Sequence, residues 1–200
     1  MTRQYFDKAQ TLIDAANNED PNQEIIEGQI WPKELLYSHR MSDMLERYSP
    51  NADDAIKLAV RAQHIQRWRT PRSAYPMGRK GYHQWRAGLN KFHADIIANL
   101  LAKAGYENEF IMRVAQAAGK KSLKTNPDTQ LLEDVSGLVF LEHYLPNFTS
   151  RHPEYAESKW IDIMDKIWRK MSPQAHQFVL DRYIKLLDSF AMLIRKTVIK

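Results

Sequence analysis

Polar side chains of metal-binding types stand where the helical period calls for apolar ones. Ile56, Ala59, Val60, Gln63 and His64 follow three-and-four spacing, so an amide and an imidazole continue a stripe that should face a core. Leu89, His93, Ile96, Ile97 and Leu100 repeat the pattern. Leu131, Asp134, Val135, Leu138 and Leu141 put a carboxylate on a buried face, with Glu133 beside it pointing elsewhere, and His39 follows Leu35 by four residues. Burial of such groups is unfavourable unless something satisfies them. The chain has seven histidines and no cysteine, so a metal would be held by nitrogen and oxygen. His39, His64, His93 and Asp134, one from each of separate helices, form a donor set expected of one divalent ion, Zn, Mn or Fe, in a helical core. Each histidine by itself also reads as a hydrogen-bonded core residue, and Asp134 by itself could pair with a core arginine such as Arg61.

A second chemistry-bearing cluster is cationic and aromatic. Arg67, Trp68, Arg69, Arg72, Tyr75, Arg79, Lys80, Tyr82, Trp85, Arg86 and Lys91 fall in one short span. Guanidinium groups clamp phosphates or carboxylates bidentately, and aromatic faces can cover a ligand. Arg67, Arg69, Arg72, Arg79, Lys80 and Arg86 are therefore candidate anion-binding residues, with Lys120, Lys121 and Lys124 adding charge nearby in sequence. The same interleaving describes a single-strand nucleic-acid surface, although no nucleic-acid motif accompanies it. A solvated basic loop whose aromatics pack on the domain is the plain alternative.

The elements that must position these residues are helical, since apolar residues recur at helical spacing without sustained alternation. Tyr5, Phe6, Ala9, Leu12, Ile13 and Ala16 make a first amphipathic stripe, ended by polar residues 17–22. Pro32 suits the first turn of a second helix running to about Tyr48. A third is expected from about Ala52 to Trp68, then a loop over residues 69–81 holding Pro71, Pro76, Gly78 and Gly81. Helix should resume near Tyr82 and run to Ala104, with Gly105 as its C-terminal cap. A short helix from Phe110 to Ala118 follows, then one capped by Asp128 or Thr129 and running to about Tyr144. Trp160, Met164, Ile167, Trp168 and Met171 share a face of the next. Ser172 and Pro173 open a last helix carrying Val179, Tyr183, Leu186, Leu187 and Phe190. Its end, with Arg195, Lys196 and Lys200, could pack in a homodimer.

Two hundred residues with 44% hydrophobic and 26% charged types suit one all-α domain of about seven or eight helices. No run approaches the roughly 18 apolar residues of a membrane span, and residues 1–16 are amphipathic and charged, so a cytoplasmic protein is expected. The net charge of +5 favours an anionic partner. Phosphate-binding loops, nucleophile elbows and His-Glu-x-x-His segments do not occur. His83, His143, His152 and His176 read as surface or hydrogen-bonding residues.

The run Ser38-His39-Arg40-Met41, then residues 58–65 with Gln63-His64, then His93-Ala94-Asp95 leading to Gly105-Tyr106, then Leu131-Leu132-Glu133-Asp134, resembles the HD superfamily of helical metal-dependent phosphohydrolases. The resemblance spans about residues 33–144, leaving residues 157–197 as a C-terminal helical extension. It implies His39 as first ligand, His93 as the additional histidine of some branches and Asp134 as the distal aspartate. Gln63-His64 stands where the pattern has an adjacent His-Asp pair, and Lys121 where some two-metal members have a further histidine. A single metal on His39, His64, His93 and Asp134 is then expected, with Glu133, Lys121 and Gln63 as candidate catalytic groups. Residues 61–68 and the segment Tyr75-Pro76-Met77-Gly78-Arg79 also resemble a bacterial family described as domain of unknown function 4202, a likeness that implies no activity.

Two functions follow as expectations. One is a metal-dependent hydrolase of a small phosphorylated or otherwise anionic substrate, using metal-activated water. The other is a non-catalytic module for an anion or a nucleic acid on a degenerate HD-like fold.

Overall fold

The computed structural model describes residues 3–186, 190–192 and 194. Among the described residues the fold is all-α apart from one small hairpin, and the chain divides into two compact units, residues 1–132 and 133–200. Among the described residues no helix is long and apolar enough to cross a membrane.

The first unit begins with α1 (Arg3–Asn18), which buries Ala9 and Ile13. An antiparallel hairpin follows, β1 (Gln23–Ile26) and β2 (Gln29–Pro32), which the periodicity did not reveal. Strands of four residues are too short to show alternation. Glu27 and Gly28 turn the chain with φ of 51° and 80°, as a two-residue hairpin turn requires. α2 (Lys33–Tyr48) starts where Pro32 predicts. Its N-terminus is capped from outside: the buried Asp20 carboxylate accepts from Glu34 N at 3.0 Å and from Asn22 N at 2.9 Å.

α3 (Asp54–Arg61) is capped by Asp53, whose Oδ1 accepts from Ala55 N and Ile56 N. It ends well short of the Trp68 expected from sequence. Gln66 sits in the left-handed region at φ 50°, and its N–H donates to Asn17 Oδ1 at 3.1 Å. A tertiary bond from α1 thus captures a backbone donor that further helix would have used. The connection to α4 therefore spans residues 62–77, with single 3-10 turns at Arg67–Arg69 and Arg72–Ala74.

α4 (Gly78–Ala104) starts four residues before Tyr82, and Trp85, Leu89, His93, Ile97 and Leu101 form its buried stripe. Gly81 is fixed by contact: a Cβ there would lie 1.9 Å from the Pro76 carbonyl oxygen. Gly105, at φ 105°, closes the helix as expected, with Gly105 N and Tyr106 N both donating to Leu101 O. α4 packs against α1 and α5 (Asn108–Ala118), and α3 packs against α2 and α5. In α6 (Pro127–Val139) the cap is Asn126, whose Oδ1 accepts from Asp128 N and Thr129 N, in place of the expected Asp128 or Thr129.

The division between the units falls within α6. In the second unit a π-helical turn at Phe140–Tyr144 replaces the end of the expected α-helix. α7 (Leu145–Ser150), α8 (Glu157–Trp168) and α9 (Pro173–Leu180) follow. Ser172 caps α9, its Oγ accepting from Ala175 N. α9 stops at Leu180, and Arg182 turns the chain at φ 62°, so Tyr183 and Leu186 lie beyond it. Phe190 lies in a further helical stretch. Leu187, Arg195, Lys196 and Lys200 lie outside the described residues.

Candidate functional site

The site is built on the first turn of α2. Glu34, Tyr37, Ser38, Met41, Leu45 and Tyr48 share its buried face, so Glu34 enters the interior at 7% exposure. Loss of water raises its carboxyl from 4.5 to about 7, against the opposing pull of the Arg67 guanidinium. One turn on, the Tyr37 ring stacks on His64, with centroids 4.2 Å apart and planes 16° from parallel.

His64 leaves α2's partner helix in the turn that ends α3. Its Nδ1 lies 3.5 Å from Glu34 Oε2, and its Nε2 lies 2.7 Å from Arg67 Nη1. A guanidinium only donates, so Nε2 accepts and the neutral ring carries its proton on Nδ1, toward Glu34. The Arg67 guanidinium also lies over the Trp85 ring, 5.1 Å from its centroid. Burial, reinforced by Arg67, His93, Lys120 and Arg86, holds His64 well below the ordinary imidazole range.

His93 comes from the middle of α4, its ring centroid 6.0 Å from that of His64. It is 4% exposed, and its Nε2 has no hydrogen-bond partner. Burial first, then Arg67, Lys120 and Arg86, press its pKa down to about 3. Every charged group acting on His93 is positive. Both imidazoles are therefore neutral near pH 7, with three cations acting on them and the Glu34 carboxyl beside them raised to about 7.

The other expected site residues lie elsewhere. The His39 ring meets Trp31 edge-on, and its Nε2 accepts from Arg61 Nη2 at 3.0 Å. Arg61 is tied to both oxygens of Asp14 at 2.8 Å and donates to Ser42 Oγ, so its carboxylate partner is Asp14. Asp134, in the second unit, accepts from Ser172 N at 2.7 Å and from Ser172 Oγ at 2.5 Å, steadying the residue that caps α9. Glu133 is buried in the same unit, 3.7 Å from Lys170 Nζ. Gln63 is buried with Oε1 unpartnered, and Lys121 is exposed.

The cationic set also divides. Arg67 and Arg86 are partly buried and act on the two histidines. Arg72 is engaged by the loop, donating to the carbonyls of Tyr75 and Gly78. Arg69, Arg79 and Lys80 are exposed, with Arg69 bonded to Gln66 Oε1 and Arg79 lying 3.4 Å from His83 Nε2. Glu34 was not among the expected residues, although its place on the stripe with Tyr37, Ser38, Met41 and Leu45 was visible.

The metal implied by the HD-like spacing finds no fit in this arrangement. Among the described residues no group of three or more His, Asp or Glu side chains could hold an ion. The Nε2 lone pairs of His39 and His64 face guanidinium groups, both Asp134 oxygens serve Ser172, and the charges around His93 would repel a cation.

Comparison with known proteins places the chain without assigning it an activity. No curated protein and no solved structure matches it. Residues 7–194 match the family described as a domain of unknown function, DUF4202, which covers nearly the whole chain. The chain belongs to that family.

Proposed function

We propose that this protein binds a small anionic compound, such as a phosphorylated metabolite, at the cluster of Arg67, His64, His93 and Glu34, on which the charges of Arg86 and Lys120 also act. The observation that carries this reading is the charge around the two neutral histidines: three cations act on them, and the Glu34 carboxyl that offsets Arg67 is itself raised to about 7. Cations gathered around partly buried neutral groups repel one another, and an anion relieves that repulsion while accepting their hydrogen bonds. The residues are contributed by α2, the connection after α3, α4 and the turn after α5, an arrangement that encloses a small ligand more readily than it tracks a polymer.

Isothermal titration with inorganic phosphate tests this reading. The wild type should bind, and Arg67→Gln together with Arg86→Gln should weaken binding by about tenfold or more. The HD-like spacing carries the competing function, a metal-dependent hydrolase using His39, His64, His93 and Asp134. That function predicts a stoichiometric transition metal in untagged protein and a melting temperature that falls with chelator and recovers with metal. Anion binding indifferent to chelator supports the pocket, and metal-dependent melting supports the hydrolase.

A further inference from the structure

Gln66 carries backbone strain directly beside Arg67. It occupies the third position of the turn closed by the Arg67 N–H donating to His64 O at 3.0 Å, with φ 50° and ψ 31°. A turn with positive φ at that position ordinarily takes glycine or asparagine, because other side chains are strained there. The strain is offset from α1. Asn17, 1% exposed, accepts from Gln66 N at 3.1 Å, and Gln66 Nε2 lies 3.5 Å from Ala16 O and 3.4 Å from Glu19 Oε2. On the far side of Arg67, the Trp85 indole N–H donates to Thr70 O at 2.9 Å. Arg67 is therefore bracketed, with α1 holding the residue before it and α4 holding Thr70 after it. A glycine would let the turn close by itself, whereas the glutamine ties it to α1.

We propose that Gln66, held by Asn17, is the positioning residue of the anion-binding cluster, setting the turn that aims the Arg67 guanidinium at His64 Nε2. The inference rests on the anion-binding reading for its functional consequence and adds the device that presents the cation. The turn brings Arg67 Nη1 within 2.7 Å of His64 Nε2 and leaves the guanidinium 5.1 Å from the centre of the Trp85 ring. Holding a long, rotamer-rich side chain in one place before the ligand arrives removes an ordering cost that binding would otherwise carry. With the turn released, Arg67 loses that presentation, and the His64 proton is free to move from Nδ1 to Nε2.

Calorimetry with inorganic phosphate and the long-range nitrogen–proton spectrum of His64, both on the full chain, test the inference. Asn17→Ala removes the acceptor, and Gln66→Val puts a β-branched side chain where φ is positive. Each should weaken phosphate binding by about tenfold and lose the spectrum of a ring protonated at Nδ1. Gln66→Gly, which takes positive φ freely, should bind within about twofold of wild type. The decisive variant combines Asn17→Ala with Gln66→Gly: glycine closes the turn without help from α1, so the binding lost in Asn17→Ala should return. A merely structural role of Asn17 gives no such rescue, and its absence overturns the route through Gln66. Wild-type affinity and an unchanged His64 spectrum in Asn17→Ala overturn the positioning role and leave the anion site standing. Failure of the wild type to bind phosphate, with the His64 spectrum still following Asn17 and Gln66, overturns the anion reading and leaves the positioning of Arg67 intact.

Discussion

Nη1 of Arg67 donates to Nε2 of His64 at 2.7 Å, so the lone pair that a metal-binding histidine would offer is engaged by an organic cation. The same guanidinium rests on Trp85 and offsets the charge of Glu34. This contact takes from His64 the lone pair that the sequence reading assigns to a metal, and it is the geometry on which the anion-binding proposal rests.

The pH behaviour of the cluster around His64 follows from Glu34. Its folded value is raised from 4.5 to about 7, so its stabilising contribution is full below pH 4.5 and is lost as pH rises through 7. Glu34→Gln should therefore gain stability relative to wild type between about pH 5 and 8, by on the order of 2–3 kcal/mol. Urea melts across that range check it, and parallel pH curves for the two proteins would refute it.

His93 acts at the opposite limb. Its value is lowered from 6.5 to about 3, so the stability linked to its neutral form is present above 6.5 and lost as pH falls toward 3. His93→Leu should flatten the acid limb of the stability curve, as acid-titration melts would show.

Arg61 is a strut of the first unit. Arg61→Ala leaves Asp14, Ser42 and His39 without their shared donor and should cost about 2–4 kcal/mol, equally with and without chelator. Chemical denaturation provides the measurement, and a chelator-dependent difference would point back to a metal.

Asp134→Ala removes two bonds to Ser172 and weakens the start of α9. The expected loss is about 1–3 kcal/mol, independent of added metal and less than additive with Ser172→Ala. A double-mutant cycle measures the coupling.

The exposed cations should be spectators. Arg79→Ala with Lys80→Ala should leave phosphate affinity unchanged, and the salt dependence of anion binding should be shallow. Tight binding to single-stranded RNA near physiological salt, lost in that pair, would make the loop a nucleic-acid surface instead.

Much of the scaffold was legible because it obeys local rules. Pro32 marks the start of α2, Gly105 closes α4, and the four-residue spacing from Trp85 to Leu101 places His93 inside. The break after Arg61 was not, since Asn17, far away in sequence, supplies the acceptor that holds Gln66 out of the helix. Nor was the division of the arginines, because no periodicity says that Arg72 bonds to its own loop while Arg67 turns inward. Glu34 stood on a readable stripe, but a glutamate in a first helical turn also has an ordinary explanation in the helix dipole.

The guanidinium resting on Trp85 gives the protein an optical reporter of its own. A cation over an indole perturbs its emission, and a ligand that draws Arg67 toward itself must change that contact. With Trp31, Trp68, Trp160 and Trp168 replaced by phenylalanine, the remaining indole would signal occupancy of the pocket by fluorescence, in a form suited to screening metabolite mixtures without labels.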